Sequence, residues 1–349
     1  MAFTDDAFLQ AAGLSLAAYS ATPLPTGETG WTPVTAADLG LRPLGTADEG
    51  AYRMTPAVYT QTQGLSSAAA HVYLNEDDGT LAIAFWGTDE ALDLRDHADL
   101  TTHYARFEPL MDAIADLVDA RNSPVEQVLV TGHSLGGAMA TTAMIDQGWT
   151  NDPRVLGIAI GGHGTEPEVA ALAPARVGNL INILHEDDRL LLSEEPAASG
   201  LSWLTRANTG RDAPTEQVGV EVWIDDLPNP DVTAGLILGT QTFTVPRQAV
   251  GAHELEEYAA DIQVLHGAGV LDPGVLAARQ EWHFTINPRT NDLARPGEGT
   301  QPRYLDLLRL GDEIFTPRLN DAVADAREDA LAILAGLRTT PDDIMDLFG

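Results

Sequence analysis

The stretch Val128-Leu129-Val130-Thr131-Gly132-His133-Ser134-Leu135-Gly136-Gly137 constrains this chain more than any other. An apolar, β-branched run reads as a buried strand, and Ala138-Met139-Ala140-Thr141-Thr142-Ala143-Met144-Ile145 beyond it reads as a helix. Joining the two through so few residues forces a sharp turn with Ser134 at its apex. Bulky side chains two positions to either side would clash in such a turn, and both positions, 132 and 136, are glycine. The first N–H groups of the new helix would point at the site, where they can stabilise an oxyanion. Gly-x-Ser-x-Gly alone occurs by chance in many chains; the strand before it and the helix after it make Ser134 the candidate nucleophile.

The flanks extend the pattern. Residues 7–20 read as a helix and 22–33 as a loop. Ala69-His71-Tyr73 and Leu81–Phe85 read as strands joined by the turn Asn75-Glu76-Asp77-Asp78-Gly79, whose acids suit a solvated hairpin better than a calcium site. Phe107, Leu110, Met111, Ile114, Leu117 and Val118 recur at three- and four-residue steps and predict an amphipathic helix over 104–121. Apolar runs at 155–160 and 177–184 follow, and a helix is expected over 254–265. Helices alternating with short, nearly continuous apolar strands predict a mostly parallel sheet covered on both faces. Between 194 and 250 the pattern loosens, which predicts an inserted loop and strand region or cap. Residues 287–303 read as a loop and 318–337 as a last helix. The expectation is one domain over 1–349, with 268–349 as a C-terminal extension packed on the core.

Composition narrows the partners. The chain holds 52 acidic and 19 basic residues, a net charge of −33, and every basic residue is arginine. So negative a field disfavours nucleic acid and anionic membrane surfaces, and suits a surface solvated in salt or a GC-rich coding habit. With no cysteine, disulfides and thiolate chemistry are excluded. No run of about 20 apolar residues predicts a transmembrane helix. The opening Met1-Ala2-Phe3-Thr4-Asp5-Asp6 has no basic n-region, so a Sec signal is not expected. That leaves leaderless, type I-like export or a cytoplasmic place.

A serine hydroxyl needs a base, nearly always histidine, and a carboxylate to orient that histidine. The run 177–184 ends in His185-Glu186-Asp187-Asp188-Arg189, at the carboxyl edge of a strand where sites of open α/β sheets gather. Asp188 and Asp187 compete for the acid. Among nine histidines, His253 sits on a glycine-containing loop with a helix starting just after it, and His266 and His283 are its rivals. His133 precedes the apex serine, so its side chain should point away from that of Ser134 into packing or a hydrogen bond.

Two blocks now resemble the class 3 lipase family of α/β-hydrolases: Gly132-His133-Ser134-Leu135-Gly136-Gly137, and Ile83-Ala84-Phe85-Trp86-Gly87-Thr88 followed by Asp93-Leu94-Arg95-Asp96 and Ala98-Asp99-Leu100-Thr101. The resemblance spans about residues 7–265 and is strongest over 81–147. It implies an α/β-hydrolase fold with Ser, Asp and His in that order along the chain, hence Ser134, Asp188 and His253. It also implies an oxyanion hole built from Thr88 and the Leu135 N–H, and no metal or organic cofactor. The family's His-x-x-Asp pattern falls on His185 and Asp188, although Arg189 replaces its usual proline. Trp86 stands where the family has arginine, Gly161-Gly162-His163 where it often has Gly-Ser-Pro. Residues 89–103 take the place of its lid and are poor in apolar side chains, so interfacial activation is not expected. The implied activity is ester hydrolysis, with acylglycerols or related lipids as substrates. Thioester or amide hydrolysis on the same triad, and a non-catalytic binding module, are the alternatives.

Overall fold

The computed structural model describes residues 3–19, 30–41, 52–63, 66–87, 100–186, 188, 215–226, 233–238, 241–246, 255–287 and 292–293. The chain divides into units 1–294 and 295–349, and all described residues belong to the first. The expected helix at 318–337 lies outside the described residues.

In chain order the elements are α1 (Asp6–Ala18), β1 (Trp31–Pro33), β2 (Tyr52–Thr55), β3 (Val58–Gln63), β4 (Ser66–Asn75) and β5 (Thr80–Phe85). Then come α2 (Leu100–Tyr104), α3 (Glu108–Asp119), β6 (Gln127–His133), α4 (Leu135–Asp146), β7 (Val155–Ile160), α5 (Pro167–Ala170) and β8 (Leu180–His185). They are followed by β9 (Val220–Asp226), β10 (Thr233–Leu238), β11 (Gln241–Pro246), α6 (Leu255–Gly267), α7 (Pro273–Leu276), β12 (Glu281–Asn287) and β13 (Asp292–Leu293).

Eleven strands form one sheet in the order β13-β12-β9-β8-β7-β6-β5-β4-β3-β2, with β1 on β4. Strands β5, β6, β7, β8, β9 and β12 run parallel, and β2, β3 and β4 add an antiparallel wing. The hairpin β4–β5 closes as its turn residues dictate: Asn75 Oδ1 accepts from the Asp77 N–H at 3.0 Å, and Gly79 takes φ 69°.

The parallel strands are apolar on both faces because both faces are covered. Ala82, Ala84, Leu129, Leu156, Ile158, Ile160, Ile181 and Ile183 face a core closed by α1 and α6. Leu81, Ile83, Phe85, Val128 and Val130 face a second core closed by α3 and α4. The predicted stripe on α3 is buried at Leu110, Met111, Ile114 and Val118. Helix α4 has no polar face at all; every residue from Leu135 to Ile145 is buried, so it is wedged between sheet and neighbours. Where α1 crosses β6, Ser15 Oγ and Thr131 Oγ1 hydrogen-bond at 3.1 Å, and Thr131 donates to the Ile158 carbonyl at 2.8 Å. Strand β9, inside the loosely patterned 194–250 region, belongs to the central sheet, whereas β10 and β11 form a separate hairpin. A mostly parallel sheet with helices on both faces is the architecture read from the sequence.

Candidate active site

Strand β6 leads directly into α4 through Ser134, which adopts φ 57°, ψ −122°. For a residue with a Cβ this is a sparsely populated region that costs about 1–3 kcal/mol and persists only where the surroundings enforce it. They do so here by close approach. A Cβ on Gly132 would overlap the carbonyl of Gly136, and a Cβ on Gly136 would overlap the carbonyl of Phe85 at the end of β5. Gly137 meets Gly162 beyond β7, where an added Cβ would come within 3.0 Å of the Gly162 Cα. The Ser134 N–H donates to the Ile160 carbonyl at 2.9 Å, and the Ser134 carbonyl accepts from the Ala138 N–H, the first turn of α4. Ser134 is 6% exposed, so the serine lies in a recess.

Gly136→Ala should therefore cost about 1–3 kcal/mol of stability, by overpacking against backbone that has nowhere to go. It should lower activity per folded molecule as well, since the clash lies between the elbow and the backbone of Phe85 and Trp86. Urea midpoints and initial rates measure the two effects.

The strand ends beside the elbow hold the remaining described candidates. Leu135 is the first residue of α4 and is buried, with its N–H at the positive end of that helix. Gly87 follows β5 so closely against β6 that a Cβ there would overlap the Tyr19 hydroxyl and come within 2.7 Å of the His133 carbonyl. Thr88 and residues 89–99, the expected oxyanion residue and most of the lid position, lie outside the described residues. His133 takes the hydrogen-bonding and packing role expected of it: it is buried, and its Nδ1 hydrogen-bonds the Tyr19 hydroxyl at 2.8 Å.

Asp188 follows β8, two strands from β6 and hence roughly 10 Å across the sheet edge, a gap that an imidazole can span. It is fully buried. The Tyr258 hydroxyl donates to its Oδ2 at 2.8 Å, and its N–H donates to the His185 carbonyl at 3.2 Å. Asp187 lies outside the described residues. Tyr258, on the first turns of α6, is the residue that sequence reasoning missed. Its ring rests on Gly161, whose φ of 56° and missing Cβ leave room for it, and lies 6.0 Å from the His133 ring. Its signal was its place five residues after His253.

His253 lies outside the described residues, two positions before α6 begins at Leu255. Both rivals are described. His266 is in the last turn of α6, eight residues and so roughly 12 Å along the helix from Tyr258. It contacts Asp6 at 3.1 Å and Asp5 at 3.7 Å at the start of α1. His283, exposed on β12, has Nδ1 at 2.9 Å from Glu186 and Nε2 at 2.8 Å from Glu281. Desolvation alone would lower its pKa, but the two glutamates together outweigh it and hold the ring above its ordinary value. A ring with a carboxylate on each nitrogen, biased toward the imidazolium, is poorly placed to accept a proton from serine.

Since its folded pKa is raised, His283 adds stability below the ordinary histidine pKa and loses it as pH rises through the raised value. His283→Gln should cost less than about 1 kcal/mol, because the group is exposed and screened. The cost should appear in urea midpoints near pH ~5.5 and vanish near pH ~9.

Strand order, two-faced cover and the serine turn together define an α/β-hydrolase fold. Residues 10–152 are lipase-like in sequence: they match the model of the Tle-like phospholipase domain. No curated protein matches the chain. Among solved structures, lipase II from Rhizopus niveus is similar at 19% identity over 63% of this chain and 80% of that one, with a TM-score of 0.40. A triacylglycerol lipase from Penicillium expansum is similar at 14% identity over 64% and 82%, TM-score 0.37. The Rhizomucor miehei triacylglyceride lipase is similar at 18% identity over 48% and 67%, TM-score 0.32.

Proposed function

We propose that this protein is a serine hydrolase of carboxylic esters in lipids. Ser134 attacks the ester carbonyl, His253 takes and returns the proton, and Asp188 orients His253. The N–H groups of Leu135 and Thr88 hold the oxyanion, and water then releases the acid from the acyl-enzyme. No metal or organic cofactor takes part. The observation that carries this reading is the backbone of Ser134: a residue with a Cβ at φ 57°, ψ −122°, between a buried strand and a helix N-terminus. A connecting loop has no need of that conformation, whereas a nucleophile held above a sheet edge does. The burial of Asp188 under the Tyr258 hydroxyl supports its choice as the acid.

The match of 10–152 to a phospholipase-like domain favours glycerophospholipid esters alongside the acylglycerols that the resemblance implies. The net charge of −33 favours neutral over anionic lipid surfaces. No helix among the described residues is long and apolar enough to cross a membrane. The test is fatty-acid release from phosphatidylcholine vesicles, phosphatidylglycerol vesicles and triolein emulsions, with p-nitrophenyl butyrate as the soluble ester and Ser134→Ala as control. The reading expects release from neutral lipid that Ser134→Ala abolishes. Release that survives Ser134→Ala, or thioester turnover with no ester turnover, contradicts it.

A further inference from the structure

Helix α6 carries Tyr258 and Asp261 three residues apart; His185 ends β8, and Asp188 follows it by three residues. All four are buried, none more than 1% exposed. The two pairs interlock crosswise. Tyr258 donates to Asp188 at 2.8 Å, while Asp261 Oδ2 lies 2.8 Å from His185 Nε2. The His185 ring stands edge-on to the Tyr258 ring, centroids 4.7 Å apart at 88°, and the backbone N–H of His185 donates to the Tyr258 hydroxyl at 3.1 Å. The Tyr258 oxygen is therefore fixed from behind by His185 and donates forward to Asp188.

Burying a carboxylate against an imidazole is a poor way to gain stability, because desolvation of both groups offsets their attraction; an apolar pair of similar volume would serve as well or better. What such a pair does supply is a fixed orientation. Here it lies about one helical turn along α6 from the tyrosine that holds the candidate triad acid.

We infer that Asp261 and His185 form a positioning pair for ester hydrolysis: they fix α6 against β8 so that the Tyr258 hydroxyl meets the Asp188 carboxylate in one geometry. The inference rests on the hydrolase reading. A displacement of about 1 Å at a catalytic group can cost about 100-fold in rate, so a defect here should appear in kcat.

The experiment compares wild type with Asp261→Asn, which keeps the shape and removes the charge, and with His185→Gln, Tyr258→Phe and the double variant Asp261→Asn/Tyr258→Phe. Rates on p-nitrophenyl butyrate are normalised to sites labelled by a fluorophosphonate probe, so that unfolded protein is not counted. Asp261→Asn and His185→Gln should each lose about 10- to 100-fold in kcat with KM unchanged. The double variant should be no slower than Tyr258→Phe, because both changes act through Asp188. Wild-type kcat per labelled site in Asp261→Asn and His185→Gln, whatever their melting temperatures, would assign the pair to stability alone and overturn the inference. Losses that multiply in the double variant would overturn it too. A folded wild type that neither labels nor turns over ester overturns the hydrolase reading and this one with it.

Discussion

His253→Ala should lower kcat on p-nitrophenyl butyrate by about 10⁴-fold or more while leaving the fold intact. His266→Gln and His283→Gln should each stay within about twofold of wild type. The size of the first effect follows from the chemistry: without a base within reach, the serine hydroxyl stays protonated at neutral pH and the leaving group departs without an acid. The contrast follows from where the rivals sit. His266 is tied to Asp5 and Asp6, eight residues along α6 from Tyr258, and His283 is clasped between Glu186 and Glu281. His253 stands on the segment that enters α6, the helix whose first turns reach Asp188. Stopped assays on purified variants, with circular dichroism to check folding, measure all three. A His253→Ala enzyme within tenfold of wild type would move the base elsewhere.

Asp188→Asn should lower kcat by about 10⁴-fold, because an amide in that place favours the wrong imidazole tautomer and leaves the imidazolium without a counter-charge. Asp187→Asn should cost little. The difference rests on burial: Asp188 is fully enclosed and accepts a hydrogen bond from a buried tyrosine, an environment in which a carboxylate is retained for a specific task. The same kcat measurements on the two asparagine variants decide between them; collapse in Asp187→Asn with Asp188→Asn active would exchange the two residues.

Much of this arrangement is legible in the chain because the parallel strands are buried on both faces. Val128–Val130, 155–160 and 180–184 are apolar runs broken only by Asn182, and the elbow between the first of them and α4 needs glycine at 132 and 136 for reasons the backbone makes plain. Legibility fades where a strand is covered on one face only. Strand β9 alternates Val222 and Ile224, buried, with the half-buried Glu221, Trp223 and Asp225, and so reads as part of a loose insertion although it is a central-sheet strand. Strand β12 has the same alternation at Trp282, Phe284 and Ile286, but lies beyond the reach of the family resemblance and pairs with β9 across a long crossover. The wing strands β2 and β3 carry Thr and Gln among few apolar residues, and their pairing is set by β4 rather than by their own pattern. At the site, the proposed serine, acid and histidine are assigned from motif and order along the chain. The contact of Tyr258 with Asp188 and of Asp261 with His185 joins residues about 70 positions apart, which no local pattern encodes.

The central claim is that Ser134 is a nucleophile activated by its surroundings. The most direct measurement is reaction of the folded protein with a fluorophosphonate, followed by peptide mass spectrometry. One phosphonyl adduct on the peptide containing Ser134, absent from Ser134→Ala and from heat-unfolded protein, is the predicted result. A folded wild type that stays unlabelled, or carries the adduct on another residue, would contradict it.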